Sequence, residues 1–303
     1  MQQPILWITF VTFVIGMLAL DMLVLQKKEH EISIREALLW TLFWIAISLI
    51  FNFGIYYYMG FNYALEFLTG YLIEKSLSVD NIFVFILIFS YFGIPSRYQH
   101  KILFWGILGA VIMRAAFIFA GVAVIQRFHW VIYLLGAFLV YIGIKMALQK
   151  NKEIHPERNP VLRAFSRFFP VDSGYKRGKF FTKNAGRIAA TPLFVVLIVI
   201  ETTDIVFAMD SIPAILSITL HPFIVFTSNV FAILGLRALY FAISGIMGLF
   251  AYLNYGLSII LAFVGVKMLI ADFYKIPVSI ALPVVGGILA VSIILSLLKK
   301  PRK

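Results

Sequence analysis

Three carboxylates, Glu201, Asp204 and Asp210, fall within ten residues of a stretch, Ile200 to Pro213, that is apolar on both sides. An earlier stretch echoes it, with Glu74 and Asp80 spaced six apart as Asp204 and Asp210 are. A small polar residue and then isoleucine follow each aspartate, as Asn81-Ile82 and Ser211-Ile212. A carboxylate near the centre of a bilayer costs roughly 2.5–3.5 kcal/mol on insertion scales, so five would cost on the order of 12–17 kcal/mol uncompensated. The acids therefore need positive partners. Arg114 and Arg237, both deep inside apolar runs, are candidate charge partners, and Lys75 beside Glu74 offsets one further charge. Five acids against these cations leave two or three negative charges, which suits a divalent cation, or protons bound in its absence. A structural network that only ties helices together is the competing expectation.

The elements that must position these acids are membrane helices. The chain has 303 residues, 62% hydrophobic and 13% charged, against about 25% charged in soluble domains. Continuous apolar runs near 20 residues predict an all-α polytopic membrane protein rather than a barrel of alternating strands. Nine spans are read, at 5–26, 37–59, 68–92, 102–125, 130–148, 189–217, 222–247, 252–271 and 276–298. The basic residues outside them divide by side. Lys27, Lys28, Arg35, Arg97, Lys101, the loop 150–188 and the tail Lys299–Lys303 fall on one side, and Arg127 and Lys275 on the other. By the positive-inside rule the N-terminus lies outside and the C-terminus in the cytoplasm. The net charge of +12 is thus spent on topology, and no nucleic-acid partner is expected. The loop 150–188 is read as an anchor on anionic lipid headgroups.

The chain also repeats internally. Arg114-Ala115 answers Arg237-Ala238, and Gly143-Ile144-Lys145-Met146 answers Gly265-Val266-Lys267-Met268. The organisation is thus two N-terminal spans (5–59), repeat one (68–148), the basic loop, repeat two (189–271) and a final span (276–298). Three spans per repeat is odd, so the copies run in opposite senses, a transporter signature with the site near the midplane. Six residues along a helix rotate a side chain by about 240° and raise it by about 9 Å. Asp204 and Asp210 cannot therefore share one ion from an unbroken helix. Pro192 and Pro213 flank the acids and favour a tilted or broken helix; either the helix unwinds between the two aspartates, or each pairs with an acid of the other repeat. Asp80 opposite Asp210 is the expected central pair, with Asn81 and Ser211 as neutral oxygens. Glu201 and Asp204, three apart, share a face and form a second station.

Other residues carry less. Asp21, near the cytoplasmic end of the first span, is a gate candidate or a snorkelling boundary residue. Asp272 is read as a solvated boundary residue. The five histidines lie in loops or span edges without metal-ligand spacing, and cysteine is absent. All-oxygen ligands suit Mg²⁺, Ca²⁺ and Mn²⁺ and disfavour Zn²⁺ and Cu⁺. No Walker-type glycine loop appears, so ATP hydrolysis is not expected to drive transport; proton exchange through the clustered carboxylates is the natural coupling. The chain is read as a transporter, not an enzyme, with no permanently bound cofactor.

The stretch Leu68 to Asn81, the acidic stretch Glu201 to Ala214, and Thr227 to Arg237 together resemble the TerC family of integral membrane proteins, in its Alx-like branch. The resemblance covers nearly the whole chain, including Leu20-Asp21 and Asn52. It implies a bacterial inner-membrane protein concerned with manganese efflux and homeostasis, and with resistance to tellurium compounds. Carried over, it implies that Glu74, Asp80, Asn81, Glu201, Asp204, Asp210 and Ser211 line the path of Mn²⁺ or another hard divalent cation. A non-transporting scaffold that assists metal loading or protein assembly is the alternative. Direct carriage of tellurite is disfavoured, because an oxyanion needs a positive site.

Overall fold

The computed structural model describes residues 2–25, 33–148, 178–184, 187–244 and 252–298. Among them are ten helical segments and one β-hairpin. The helices are α1 (Gln2–Leu25), α2 (Ile34–Met59), α3 (Phe61–Tyr91), α4 (Ser96–Arg127), α5 (Val131–Leu148), α6 (Pro192–Leu216), α7 (Pro222–Leu234), α8 (Leu236–Ser244), α9 (Leu253–Leu269) and α10 (Val278–Leu298). Strands β1 (Phe181–Asn184) and β2 (Arg187–Ala190) pair antiparallel, Phe181 opposite Ala190. The loop residues 150–177, the tail 299–303 and the side chains of Asp21 and Asp80 lie outside the described residues.

Local chemistry sets the helix starts. Ser33 Oγ accepts the Glu36 N–H at 3.2 Å and caps α2, satisfying one of the free donors of a first turn. Proline opens α6 and α7, where its fixed φ suits a helix and its missing N–H costs nothing. Gly60 links α2 to α3 at φ +100°, a conformation L side chains avoid.

Among the described residues, six spans are long and apolar enough to cross a membrane: α2, α4, α5, α6, α7–α8 and α10. Shorter apolar stretches lie in α1 (Pro4–Ala19) and α9 (Tyr255–Leu269). The remaining helix, α3, spans 31 residues, about 46 Å, and carries Glu66, Glu74, Lys75 and Asp80. Large apolar side chains face outward, such as Ile8, Ile50 and Leu298 at 67%, 71% and 74% exposure, as a lipid-facing surface requires.

The expected spans differ from the structure at several ends, the fourth beginning at Ser96 and not at 102. The third begins at Phe61, not 68, so Glu66 lies inside it. The sixth begins at Pro192, because Ala189 and Ala190 belong to the hairpin. The seventh breaks at Gly235 into α7 and α8. The acidic helix α6, in contrast, runs unbroken through Pro213 to Leu216; a proline three residues from a helix end disturbs only the last turn.

Helix α3 is central, packing on α2, α6, α7, α8, α9 and α10. Helix α4 lies on α6 and α7, and α5 on α9. The α5–α9 crossing depends on glycine. A Cβ on Gly265 would stand 2.6 Å from the Gly136 carbonyl oxygen, and one on Gly143 would stand 2.7 Å from that of Ser258. An aromatic core of Phe10, Phe51, Phe67, Phe223 and Phe231 locks α1 and α2 onto α3 and α7.

Candidate intramembrane carboxylate site

Arg114 of α4 is the hub of the site, and only 1% of it is exposed. Its Nη2 donates to Asp204 Oδ1 at 3.1 Å and its Nε to Asp204 Oδ2 at 3.3 Å. This is the two-pronged geometry that a planar guanidinium offers a carboxylate. Its Nη1 donates to Glu74 Oε1, to Asn229 Oδ1 at 3.1 Å and to Ser211 Oγ at 3.2 Å. Asn229 Nδ2 in turn donates to Glu74 Oε2 at 3.3 Å. Four helices thus meet in one desolvated network: α3 through Glu74, α4 through Arg114, α6 through Asp204 and Ser211, α7 through Asn229. With both acids ionised, the Glu74–Arg114–Asp204 triad keeps one negative charge.

Glu201 lies one turn before Asp204 on α6. Its Oε2 is buried without a hydrogen-bond partner among the described residues. The carboxylate occupies a notch in α4: a Cβ on Gly109 would overlap Glu201 Oε1 and come within 2.5 Å of its Cδ. The glycine gives the acid room beside the triad and offers it no donor.

The structure brings Glu74, Asp204, Ser211 and Arg114 to one point, with Glu201 adjoining. Asn81 is buried farther along α3, and Arg237 is buried on α8. Asp210 is half-buried on α6, about 9 Å beyond Asp204 and rotated by about 240° on a regular helix. Asp204 of α6 meets an acid of α3 through Arg114, which it shares with Glu74. The expected Asp80–Asp210 pair falls on a side chain outside the described residues. Lys75 does not offset Glu74; adjacent helix positions point about 100° apart, and its ammonium donates to the Ala232 carbonyl of α7 at 3.3 Å. Among the described residues, no three His, Asp or Glu side chains are grouped as a metal ion would require.

Sequence reasoning missed three participants. Asn229 had a signal, a Thr227-Ser228-Asn229 triplet inside an otherwise apolar helix whose residues from Phe223 to Leu234 are all buried. Gly109 had none. Glu66 was set outside the third span; in the structure its Oε2 is buried, within hydrogen-bonding reach of Thr219 and in the field of Lys267. Lys267 donates to the Ser217 carbonyl at 3.1 Å, just past the end of α6. These groups adjoin a cavity of about 440 Å³ lined by His129, Thr219, Lys267, Asp272 and Lys275.

Fold and site define a polytopic helical membrane protein with a carboxylate–arginine cluster inside its bundle. The chain belongs to the integral membrane protein TerC family, whose profile matches residues 59–303. It is 51% identical over 297 residues to "Uncharacterized membrane protein STKORF319" of Myxococcus xanthus, covering 98% of this chain and 93% of that one. It is 44% identical over 302 residues to "Putative membrane-bound redox modulator Alx" of Escherichia coli K12, covering 97% and 94%. The same name is carried by a protein of Salmonella typhi, 45% identical over 302 residues with the same coverage. No solved structure matches the chain.

Proposed function

We propose that the chain is a secondary transporter that exports a hard divalent cation, Mn²⁺ foremost, through the Glu74–Asp204–Glu201 site. Protons are the exchanging ion. The observation that carries this reading is the unpartnered Glu201 carboxylate beside a triad in which two acids share one arginine. With all three acids ionised, they exceed Arg114 by two charges, the charge of the ion. In the conformation described, Arg114 holds Glu74 and Asp204. A cation entering at Glu201 competes with Arg114 for Asp204, and protons on the acids restore the balance when it leaves. Asp80, Asn81, Asp210 and Ser211 extend the path along α3 and α6, and Asp21 gates its cytoplasmic end.

An inverted repeat of α3–α5 and α6–α9 belongs to this reading, and the packing supports it. Helix α3 lies on α7 as α4 lies on α6, α3 on α9 as α5 on α6, and the pairs α3–α6, α4–α7 and α5–α9 also pack together. In this reading the protein belongs to the bacterial inner membrane with its N-terminus outside, and the basic loop 150–188 supplies charge for anionic headgroups.

Mn²⁺ flux into proteoliposomes of purified protein tests the proposal. Wild type should carry Mn²⁺, and Asp204→Asn and Glu201→Gln should each reduce the rate at least tenfold. Unchanged flux in both variants would remove the site assignment.

The Arg114 clamp favours a second reading, a scaffold that assists metal loading or assembly of other proteins without moving ions itself. Absence of flux in the purified, partner-free system selects it. The name carried by the Alx relatives suggests redox modulation. This chain has no cysteine, so any such effect here would not run through a thiol relay of its own.

A further inference from the structure

Lys75 is a membrane-embedded charge that the carboxylate site does not use. Its ammonium donates to the Ala232 carbonyl at 3.3 Å, and among the described residues no carboxylate lies within ion-pair distance of it. A lone ammonium among apolar helices is costly, and such residues mark ion pathways more often than they stabilise a fold. Its compensation comes from the backbone. Helix α7 stops at Gly235, whose N–H closes on the Ile233 carbonyl, and the span resumes only at Leu236. The end of a helix carries about half a negative charge on its last carbonyls. Here that end is buried mid-span.

The surroundings are shaped for a cation. A Cβ on Gly235 would stand 2.8 Å from Lys75 Nζ and 3.1 Å from Trp44 Cβ, so the glycine leaves the space that the ammonium fills. Trp44, 4% exposed, closes it toward α2. The place is also adjacent to the carboxylate site. Successive residues of α3 grip α7 one turn apart: Glu74 takes Asn229, and Lys75 takes Ala232. Carbonyls at the end of a broken membrane helix, one turn from a substrate site, are how transporters hold a monovalent coupling ion.

We infer that the α7–α8 break is a monovalent-cation station, and that the Lys75 ammonium fills it as a tethered substitute for Na⁺ or K⁺. The protein is thereby independent of those ions. The inference does not require Mn²⁺ to be the cargo, because its readout is stability and not flux.

Lys75→Ala vacates the station. Melting of purified protein in detergent is followed in NaCl, KCl, methylammonium chloride and N-methyl-D-glucamine chloride at equal ionic strength. Wild type should melt at one temperature in all four. K75A should melt lower in N-methyl-D-glucamine and recover in Na⁺, K⁺ or methylammonium, with a saturable dependence on the ion. Lys75→Arg, which keeps a charge, should stay indifferent to the salt. Should K75A not accumulate as folded protein, Lys75→Met keeps the stem, removes only the charged end and is read in the same way. Equal melting of the neutral variant in all four salts, or equal rescue by all four, overturns the inference. A flux assay that fails while the cation-selective rescue succeeds removes the transport reading and leaves the station standing.

Discussion

Arg114→Gln is the perturbation that most directly tests the central network. Arg114 is 1% exposed and Glu74 is fully buried, so solvent cannot screen what the substitution uncovers. The guanidinium makes five donor contacts, two of them to Asp204 at 3.1 and 3.3 Å. Removing it leaves two carboxylates in one apolar pocket. Breaking a buried ion pair from one side costs about 3–5 kcal/mol, because the remaining charge is stranded. For a chain of this size that is a fall in melting temperature on the order of ten degrees. Glu74→Gln added to Arg114→Gln restores the triad's single negative charge, so the double variant should regain about half of the loss. Arg114→Lys keeps the charge but cannot reach Glu74, Asp204, Ser211 and Asn229 together, so it should fall between the two. Thermal unfolding in detergent, followed by intrinsic fluorescence of the five tryptophans, reads all four proteins. An Arg114→Gln protein as stable as wild type, or a double variant no better than the single, would show that the network does not hold charge as described.

Gly109→Ala pushes the Glu201 carboxylate out of its notch. Because only the far end of a flexible side chain must move, melting should shift by no more than a few degrees while Mn²⁺ flux falls at least tenfold; wild-type flux would make the notch irrelevant. Gly265→Val drives a side chain against the Gly136 carbonyl and the Val140 backbone, and overpacking of this kind costs about 1–3 kcal/mol. Gly286→Ala, with nothing within 4 Å of the new methyl, should melt like wild type and serves as the control. His221 precedes α7, outside the spans, and burial lowers its pKa below the usual value of 6.5. The unfolded chain then binds the proton more readily, so this contribution to stability is present above pH 6.5 and fades as pH falls toward the folded value. His221→Gln should flatten that part of the melting-versus-pH curve, and an unaltered curve would discard the assignment.

The helices were legible because hydropathy is a property of composition, and a run of twenty apolar residues has few other readings. The acid pairs were legible for the opposite reason: charges inside such runs are rare enough to stand out. What the sequence did not carry was rotation. That Asp204 faces across to Glu74 of α3 depends on how α6 is turned about its axis, which packing against α3 and α4 fixes. Asn229 and Glu74 share a hydrogen bond across 155 residues of chain, and no local pattern encodes that. The break at Gly235 was hidden because the residues on both sides, Leu234 and Leu236, read as one apolar run. The third span was cut short at its charged end, since Glu66 made residues before 68 look like loop. The hairpin 181–190 escaped because its strands are four residues each, too short to show alternation inside a basic segment.

An arginine at the heart of a cation site looks contradictory until its donors are followed. A guanidinium has five N–H groups. Asp204, Glu74, Asn229 and Ser211 are all acceptors within its reach, and they occupy Nε and both terminal nitrogens. Little of Arg114 is left to recognise a foreign anion, and the acids it holds outnumber it. An oxyanion such as tellurite would therefore enter a pocket that is net negative and has its donors engaged. A cation meets the reverse: Glu201 without a donor, and beside it Asp204, for which the cation competes with Arg114. If tellurium resistance accompanies this protein, it should follow metal balance, and Asp204→Asn should abolish Mn²⁺ flux and resistance together. A variant that loses Mn²⁺ flux yet keeps full resistance would separate the two and place tellurium chemistry elsewhere in the chain.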